Sequence, residues 1–90
     1  MNNMEIYTGI SRILKERFGI PDELLKGDYI EQSLCGEYFK LNAIELIYFF
    51  HEIEKKYNIH ISEKDLEKYG FRTIYAIGLI IQSKLENTLA

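Results

Sequence analysis

Apolar residues recur at steps of three and four in several separate segments, and this period constrains the fold more than any other feature of the sequence. The first stripe lies in residues 3–18. It consists of Ile6, Ile10, Ile13, Leu14 and Phe18. Such spacing places the apolar side chains on one face of an α-helix. Gly19 is a natural end for this helix, and Pro21 cannot continue it.

A second helix is predicted to begin after Asn42, because asparagine is a favoured N-cap residue. Glu45 follows three residues later, as in a capping box. The predicted buried stripe consists of Ile47, Phe50, Ile53 and Tyr57, widened by Leu46 and Phe49. Lys55 and Lys56 near the predicted end complement the helix dipole.

The rest of the chain is also predicted to be helical. Ser62 is expected to cap a short third helix that stops at Gly70, and Thr73 is expected to cap a last helix. Residues 59–61 alternate between apolar and polar side chains, as in a β-strand. No second strand is predicted that could pair with them, so we expect an extended turn there. The predicted fold is all-α: a small four-helix bundle, one domain over residues 1–90, with a long loop between helices 1 and 2.

Composition narrows the classes of function. The chain has 90 residues and a net charge of −3, with no visible basic patch, which argues against nucleic acid as a partner. Its apolar stretches are far shorter than the roughly 20 residues of a membrane span. Cys35 is the only cysteine, so no disulfide can form within the chain, and the first residues lack the pattern of a secretory signal. We therefore expect a cytoplasmic protein.

The order of elements resembles the acyl carrier protein and peptidyl carrier family: a helix, a long loop, a capped second helix, a short third helix and a fourth. The likeness is greatest in residues 39–61, FKLNAIELIYFFHEIEKKYNIHI. Residues 42–44, Asn-Ala-Ile, stand where carriers have Asp-Ser-Leu, and residues 59–62 match the exit from the second carrier helix. Residues 18–25, FGIPDELL, resemble the end of the first carrier helix.

The resemblance implies a fold of the acyl-carrier type and a site at Asn42, Ala43 and Ile44. In the family, the serine hydroxyl at this place receives the phosphopantetheine arm through a phosphodiester. Ala43 has no oxygen. As the sequence stands, no cofactor is therefore expected; phosphopantetheine is expected only if Ala43 replaces a native serine. Ser33 is a competing attachment site, but it would require a helix that runs through Gly36 and past the N-cap at Asn42.

Three interpretations remain open from the sequence. The aromatic-rich run around Gly36, Tyr38 and Phe39 resembles carrier-related proteins of bacteriocin-type peptide maturation systems, in which case Ala43 is natural. The chain could instead be a genuine acyl or peptidyl carrier whose serine was replaced by alanine through engineering. In the third interpretation it is an unrelated small helical interaction domain. The codon at position 43 of the source gene separates the first two.

The leading interpretation is a non-catalytic binding module that docks onto a biosynthetic or peptide-modifying enzyme. The expected partner-binding residues are Ile44, Glu45, Tyr48 and Glu52. Tyr48 and Ile44 lie off the predicted stripe, so they either form an exposed contact surface or fold under the long loop. The second helix carries a net charge of only −1, so a partner would depend more on shape and apolar contact than on electrostatic steering.

Neither catalytic residues nor a metal site is expected. No nucleophile–base set or phosphate-binding glycine pattern is present. His51, His60 and Cys35 lack metal-site spacing. Both histidines are expected to be solvated, and Cys35 is expected to be partly buried in the loop.

Overall fold

The structure, a computed structural model, describes the backbone of residues 2–89 and the side chains of residues 2–86. Four helices form: α1 (Asn3–Phe18), α2 (Ala43–Tyr57), α3 (Glu63–Tyr69) and α4 (Ile74–Leu89). Two short 3₁₀ turns, Asp22–Leu24 and Tyr29–Glu31, interrupt the connection between α1 and α2. No strand occurs in residues 2–89, and the predicted all-α four-helix bundle with a long first loop is confirmed.

Capping residues define the helix ends; Gly19 and Thr73 cap as predicted, whereas the cap at Asn2 was not predicted. At the start of α1, Asn2 Oδ1 accepts a hydrogen bond of 2.8 Å from the Glu5 N–H. At its end, Gly19 adopts φ +69°, a left-handed conformation that glycine tolerates without steric cost, and its N–H donates to the Leu14 carbonyl. Thr73 Oγ1 accepts from the Ala76 N–H at 3.0 Å at the start of α4. Local chemistry thus sets where each helix begins and ends.

One hydrophobic core joins all of these elements. Its fully buried side chains come mainly from α1, α4 and the middle of α2; the largest are Ile6, Ile10, Leu14, Leu34, Phe49, Ile53, Ile74, Ile77, Ile80 and Ile81. The Phe49 ring makes edge contacts with Phe18 at 5.7 Å and with Phe71 at 5.9 Å between ring centroids. Phe49 therefore links α2 to the end of α1 and to the segment before α4.

The long loop is packed onto this core rather than free. Leu34, Phe39 and Leu41 are all buried. The Leu34 N–H donates to the Arg72 carbonyl at 2.7 Å, and the Leu41 N–H donates back to the Leu34 carbonyl at 3.0 Å. The Tyr38 hydroxyl donates to the Leu24 carbonyl at 2.8 Å. These contacts explain how so long a connection fits in a compact domain.

The predicted stripe of α2 was wrong in one respect. Ile47 is 58% exposed, while Phe49 and Ile53 are fully buried and form the core-facing side of the helix. The helix is rotated relative to the prediction because Phe18 and Phe71 enclose Phe49. This rotation turns Ile47 towards solvent.

Cys35 was also placed wrongly. It is exposed, because its neighbour Leu34 takes the buried position in this turn of the loop. The prediction for the two histidines is confirmed, since the side chains of His51 and His60 are exposed. None of the helices formed by residues 2–89 is long and apolar enough to cross a membrane.

Candidate functional site

The start of α2 is fixed by a complete capping box. Asn42 has extended backbone angles, and its Oδ1 accepts from the Glu45 N–H at 2.8 Å. In return, the Asn42 N–H donates to Glu45 Oε1 at 3.0 Å. Two free N–H groups of the helix end are thereby satisfied, and Ala43 becomes the first helical residue. The predicted start of the second helix after Asn42 is confirmed.

The side chains just after this cap form an exposed apolar surface. Ile44 is 65% exposed and Tyr48, one turn later, is 63% exposed. Ile47 completes the group, and we refer to Ile44, Ile47 and Tyr48 as the apolar patch. The alternative in which the long loop covers Ile44 and Tyr48 is wrong, because the loop packs its own apolar residues onto the core.

An apolar groove borders the apolar patch on the side of α3. It has a volume of about 230 Å³. Its lining residues are Leu46, Ile47, Phe50, His51, Leu66 and Phe71. His51 is the only polar residue among them. This groove was not predicted from the sequence, since the residues from α3 and from the segment before α4 come close to α2 only through the fold.

A second cavity of about 310 Å³ continues from this groove towards the loop. It shares Leu46 and Phe71 with the groove and is otherwise lined by Ser33, Leu34, Cys35 and Arg72. Ser33 lies in the loop, outside every helix of the described chain. A helix that starts at Ser33 is therefore ruled out, which removes the structural basis for Ser33 as a carrier attachment site.

The two glutamates predicted for partner binding lie in different settings. The Glu45 carboxylate is engaged in the capping box. Glu52 Oε2 lies 3.8 Å from Arg17 Nε of α1, in a groove between α1 and α2. The structure thus brings Asn42, Ala43, Ile44, Glu45 and Tyr48 together at the start of α2. Glu52 belongs to the neighbouring groove further along the helix.

The corner between α2 and α3 is held by carboxylates. Glu54 Oε2 accepts from the Ile61 N–H at 2.8 Å, and the imidazole Nδ1 atoms of His51 and His60 lie 3.7 and 3.5 Å from the two Glu54 oxygens. At the start of α3, Asp65 accepts from the N–H and hydroxyl of Ser62 at 2.8 and 2.9 Å. This corner positions α3 beside the apolar groove.

The pKa values of Asp65 and Tyr57 are shifted in opposite directions. Burial alone would raise the pKa of Asp65, but hydrogen bonds and charge attraction from Lys84 and Ser62 outweigh it and lower the pKa to about 2. Lys84 Nζ lies 2.7 Å from Asp65 Oδ2 and so ties α4 to the start of α3. Burial raises the pKa of the Tyr57 hydroxyl, which donates to the Ile6 carbonyl at 3.3 Å.

Neither a metal site nor a relative provides independent evidence on function. Among the described residues, no group of three or more His, Cys, Asp or Glu side chains could hold a metal ion. Comparison with family models, curated proteins and solved structures yields no match to this chain. The site offers apolar contact area, and Ala43, the first residue of α2, offers no nucleophile.

Proposed function

We propose that this chain is an acyl-carrier-protein-like binding module, without catalytic activity of its own, that docks onto a biosynthetic or peptide-maturation enzyme. The observation that carries the proposal is the apolar patch at the start of α2. Its three large side chains are adjacent, and each is more than half exposed. Adjacent exposed apolar residues of this kind are typical of surfaces that bind another protein.

The apolar groove supports docking in this place. A partner side chain inserted between α2 and α3 would meet Leu46, Phe50, Leu66 and Phe71. Protein interfaces draw most of their affinity from a few apolar or aromatic side chains that fill such pockets. The apolar patch would then surround the inserted side chain and exclude water from it.

The carrier-like character of the proposal is supported by the order of the four helices and by the start of α2. In the carrier register, Ala43 occupies the place of the attachment serine at the first residue of the helix. Its methyl group cannot form a phosphodiester. The proposed mechanism is therefore recognition of the partner enzyme without covalent cargo and without a bound phosphopantetheine arm.

The carrier register is tested by restoring the serine. The unaltered chain and the Ala43→Ser variant are each incubated with coenzyme A and a broad-specificity phosphopantetheinyl transferase, and intact masses are recorded. We expect only Ala43→Ser to gain the arm. A Ser33→Ala change in the same background should leave this gain intact. If Ala43→Ser gains nothing while a known carrier in the same reaction does, the carrier register is refuted.

The docking surface is tested by site-specific photocrosslinking in the source cells. A photoreactive phenylalanine analogue replaces Tyr48 in one variant and Tyr75 in the control. Tyr75 is a matched control because it is also an exposed tyrosine, 48% accessible, but lies on α4. We expect a discrete crosslinked enzyme from position 48 only. Equal products from both positions, or none from position 48, would contradict docking through the apolar patch.

A further inference from the structure

A groove between α1 and α2 collects basic side chains from both helices. The two helices run antiparallel, since Phe18 contacts Phe49 while the Tyr57 hydroxyl reaches the Ile6 carbonyl. The groove has a volume of about 330 Å³, and we refer to it as the basic groove. Its charged lining residues are Arg12, Glu16, Arg17, Glu52, Lys55 and Lys56.

The charge of the basic groove opposes that of the chain. Its four basic and two acidic residues give a local net charge of +2, whereas the whole chain carries −3. Within the described residues, no carboxylate forms an ion pair with Arg12, Lys55 or Lys56. Of these four basic residues, Arg17 alone lies within ion-pair distance of a carboxylate of the described chain, Glu52 at 3.8 Å. The groove therefore has positive charge that the chain itself leaves uncompensated.

The helix dipole explains only part of this arrangement. Lys55 and Lys56 lie in the last turn of α2, where basic side chains are favoured. Arg12, however, lies in the middle of α1, so its own helix end does not account for its position. Arg12 also lines an adjoining depression of about 430 Å³, together with Lys56 and with Glu5 as its acidic residue. Packing of α1 against α2 thus brings the basic side chains together.

The basic groove and the apolar patch share one exposed face of α2. Tyr48 and Lys55 are two helical turns apart, so they lie on the same side of the helix about 10 Å from each other along its axis. We infer that the docking partner presents a segment with apolar side chains at one end and Asp or Glu about two helical turns away. The apolar end would cover the apolar patch, and the acidic end would enter the basic groove.

An acidic protein segment fits this face better than a phosphate polymer or an anionic membrane. Glu16 and Glu52 within the groove would repel a continuous row of phosphates, and four basic residues are few for such a ligand. A peptide can place its carboxylates beside Arg12, Lys55 and Lys56 and its apolar residues on Tyr48. Complementary charge of this kind favours the correct partner over others and accelerates the association of the two proteins. This inference rests on the proposed function.

The test uses the full chain, labelled with ¹⁵N, and three synthetic helical peptides. All peptides carry the same leucines and phenylalanine at one end. The other end carries glutamates in the first peptide, glutamines in the second and lysines in the third. Amide chemical shifts are followed during titration at low and high salt. Inorganic phosphate and vesicles containing an anionic phospholipid are titrated separately as the alternative occupants.

We expect the glutamate peptide to shift the amides around Lys55 and Arg12 as well as those of the apolar patch. It should bind about tenfold more tightly than the glutamine peptide at low salt, and added salt should remove most of that difference. The Lys55→Gln/Lys56→Gln variant should lose the preference for the glutamate peptide over the glutamine peptide. The Lys26→Gln/Lys64→Gln variant changes the net charge equally but lies outside the basic groove, and it should keep the preference.

The other outcomes separate the inference from the proposed function. If all three peptides shift only the apolar patch and bind equally, the acidic partner is refuted while docking at α2 stands. If no peptide shifts the amides of the apolar patch or of the basic groove, both the acidic partner and docking at α2 are refuted. If phosphate or vesicles shift the basic groove and the glutamate peptide does not, the groove binds an anion other than a protein segment, and the inference is wrong.

Discussion

The link between α3 and α4 predicts how the stability of the bundle responds to acid. Asp65 is the third residue of α3, and its carboxylate accepts from the Ser62 N–H at 2.8 Å within a capping box. The same carboxylate meets Lys84 Nζ of α4 at 2.7 Å. Asp65→Asn is the informative change, because asparagine keeps the size and one acceptor oxygen but removes the charge.

The pKa of Asp65 sets both the size and the sign of the effect. Burial opposes ionisation, but Lys84 and Ser62 more than compensate, so the folded protein has a pKa of about 2 against an ordinary value of 3.8. Without screening this difference is worth at most about 2.5 kcal/mol. Because both side chains keep partial contact with solvent, which screens the pair, we discount it to about 1 kcal/mol. A lowered folded pKa gives stability that is complete above pH 3.8 and disappears as the pH falls through about 2.

Urea unfolding followed by far-UV circular dichroism measures this contribution. We expect Asp65→Asn to lower the free energy of unfolding by about 1 kcal/mol near neutral pH, and the gap to the unaltered protein to close at about pH 2. Glu63→Gln is the matched control, since Glu63 is an exposed acid in the same first turn. It should cost less than about 0.5 kcal/mol at either pH.

Two results would refute the reasoning about Asp65. The first is a stability gap that is the same at about pH 2 as at about pH 7, because the charge would then not be its cause. The second comes from a double-mutant cycle with Lys84→Gln. If Asp65→Asn costs as much without Lys84 as with it, the two side chains are not coupled.

Three further changes test the core, the cap and the patch. Phe49→Ala removes a fully buried ring and should lower the free energy of unfolding in urea by about 3–5 kcal/mol; a loss below about 1 kcal/mol would contradict the placement of Phe49. Asn42→Ala removes the acceptor for the Glu45 N–H and should cost about 1 kcal/mol by calorimetry, whereas Asn42→Ser should cost less. Tyr48→Thr should change the free energy of unfolding by less than about 0.5 kcal/mol, and a larger loss would show that Tyr48 supports the fold.

The helix boundaries could be predicted from the sequence because their causes are local. Asn42 and Glu45 lie three residues apart, and the side chain of each accepts a hydrogen bond from the backbone N–H of the other. This capping box needs no contact with distant parts of the chain. Ser62 with Asp65 follows the same rule, and Gly19 ends α1 through its own backbone conformation. These helix ends are determined by residues close together in the sequence, so they can be located from the sequence alone.

The orientation of α2 could not be predicted in the same way. Its apolar residues cover a wide arc, so the helical period alone does not decide which of them faces the core. Phe18 and Phe71 decide it by enclosing Phe49, and both come from distant parts of the chain. Ile47 consequently lies on the side of α2 that faces solvent. The same limit applies to Cys35, since its buried neighbour Leu34 donates a backbone hydrogen bond to the Arg72 carbonyl, a contact between segments distant in the sequence.

The short third helix explains why the candidate site remains open. α3 has only seven residues, and none of them is buried. It therefore covers only part of the adjacent side of α2, and Leu66 reaches the edge of the groove without closing it. Phe50 still packs against Phe71, with ring centroids 5.2 Å apart, whereas Ile47 has no such cover and is 58% exposed, so this side of α2 remains open to solvent.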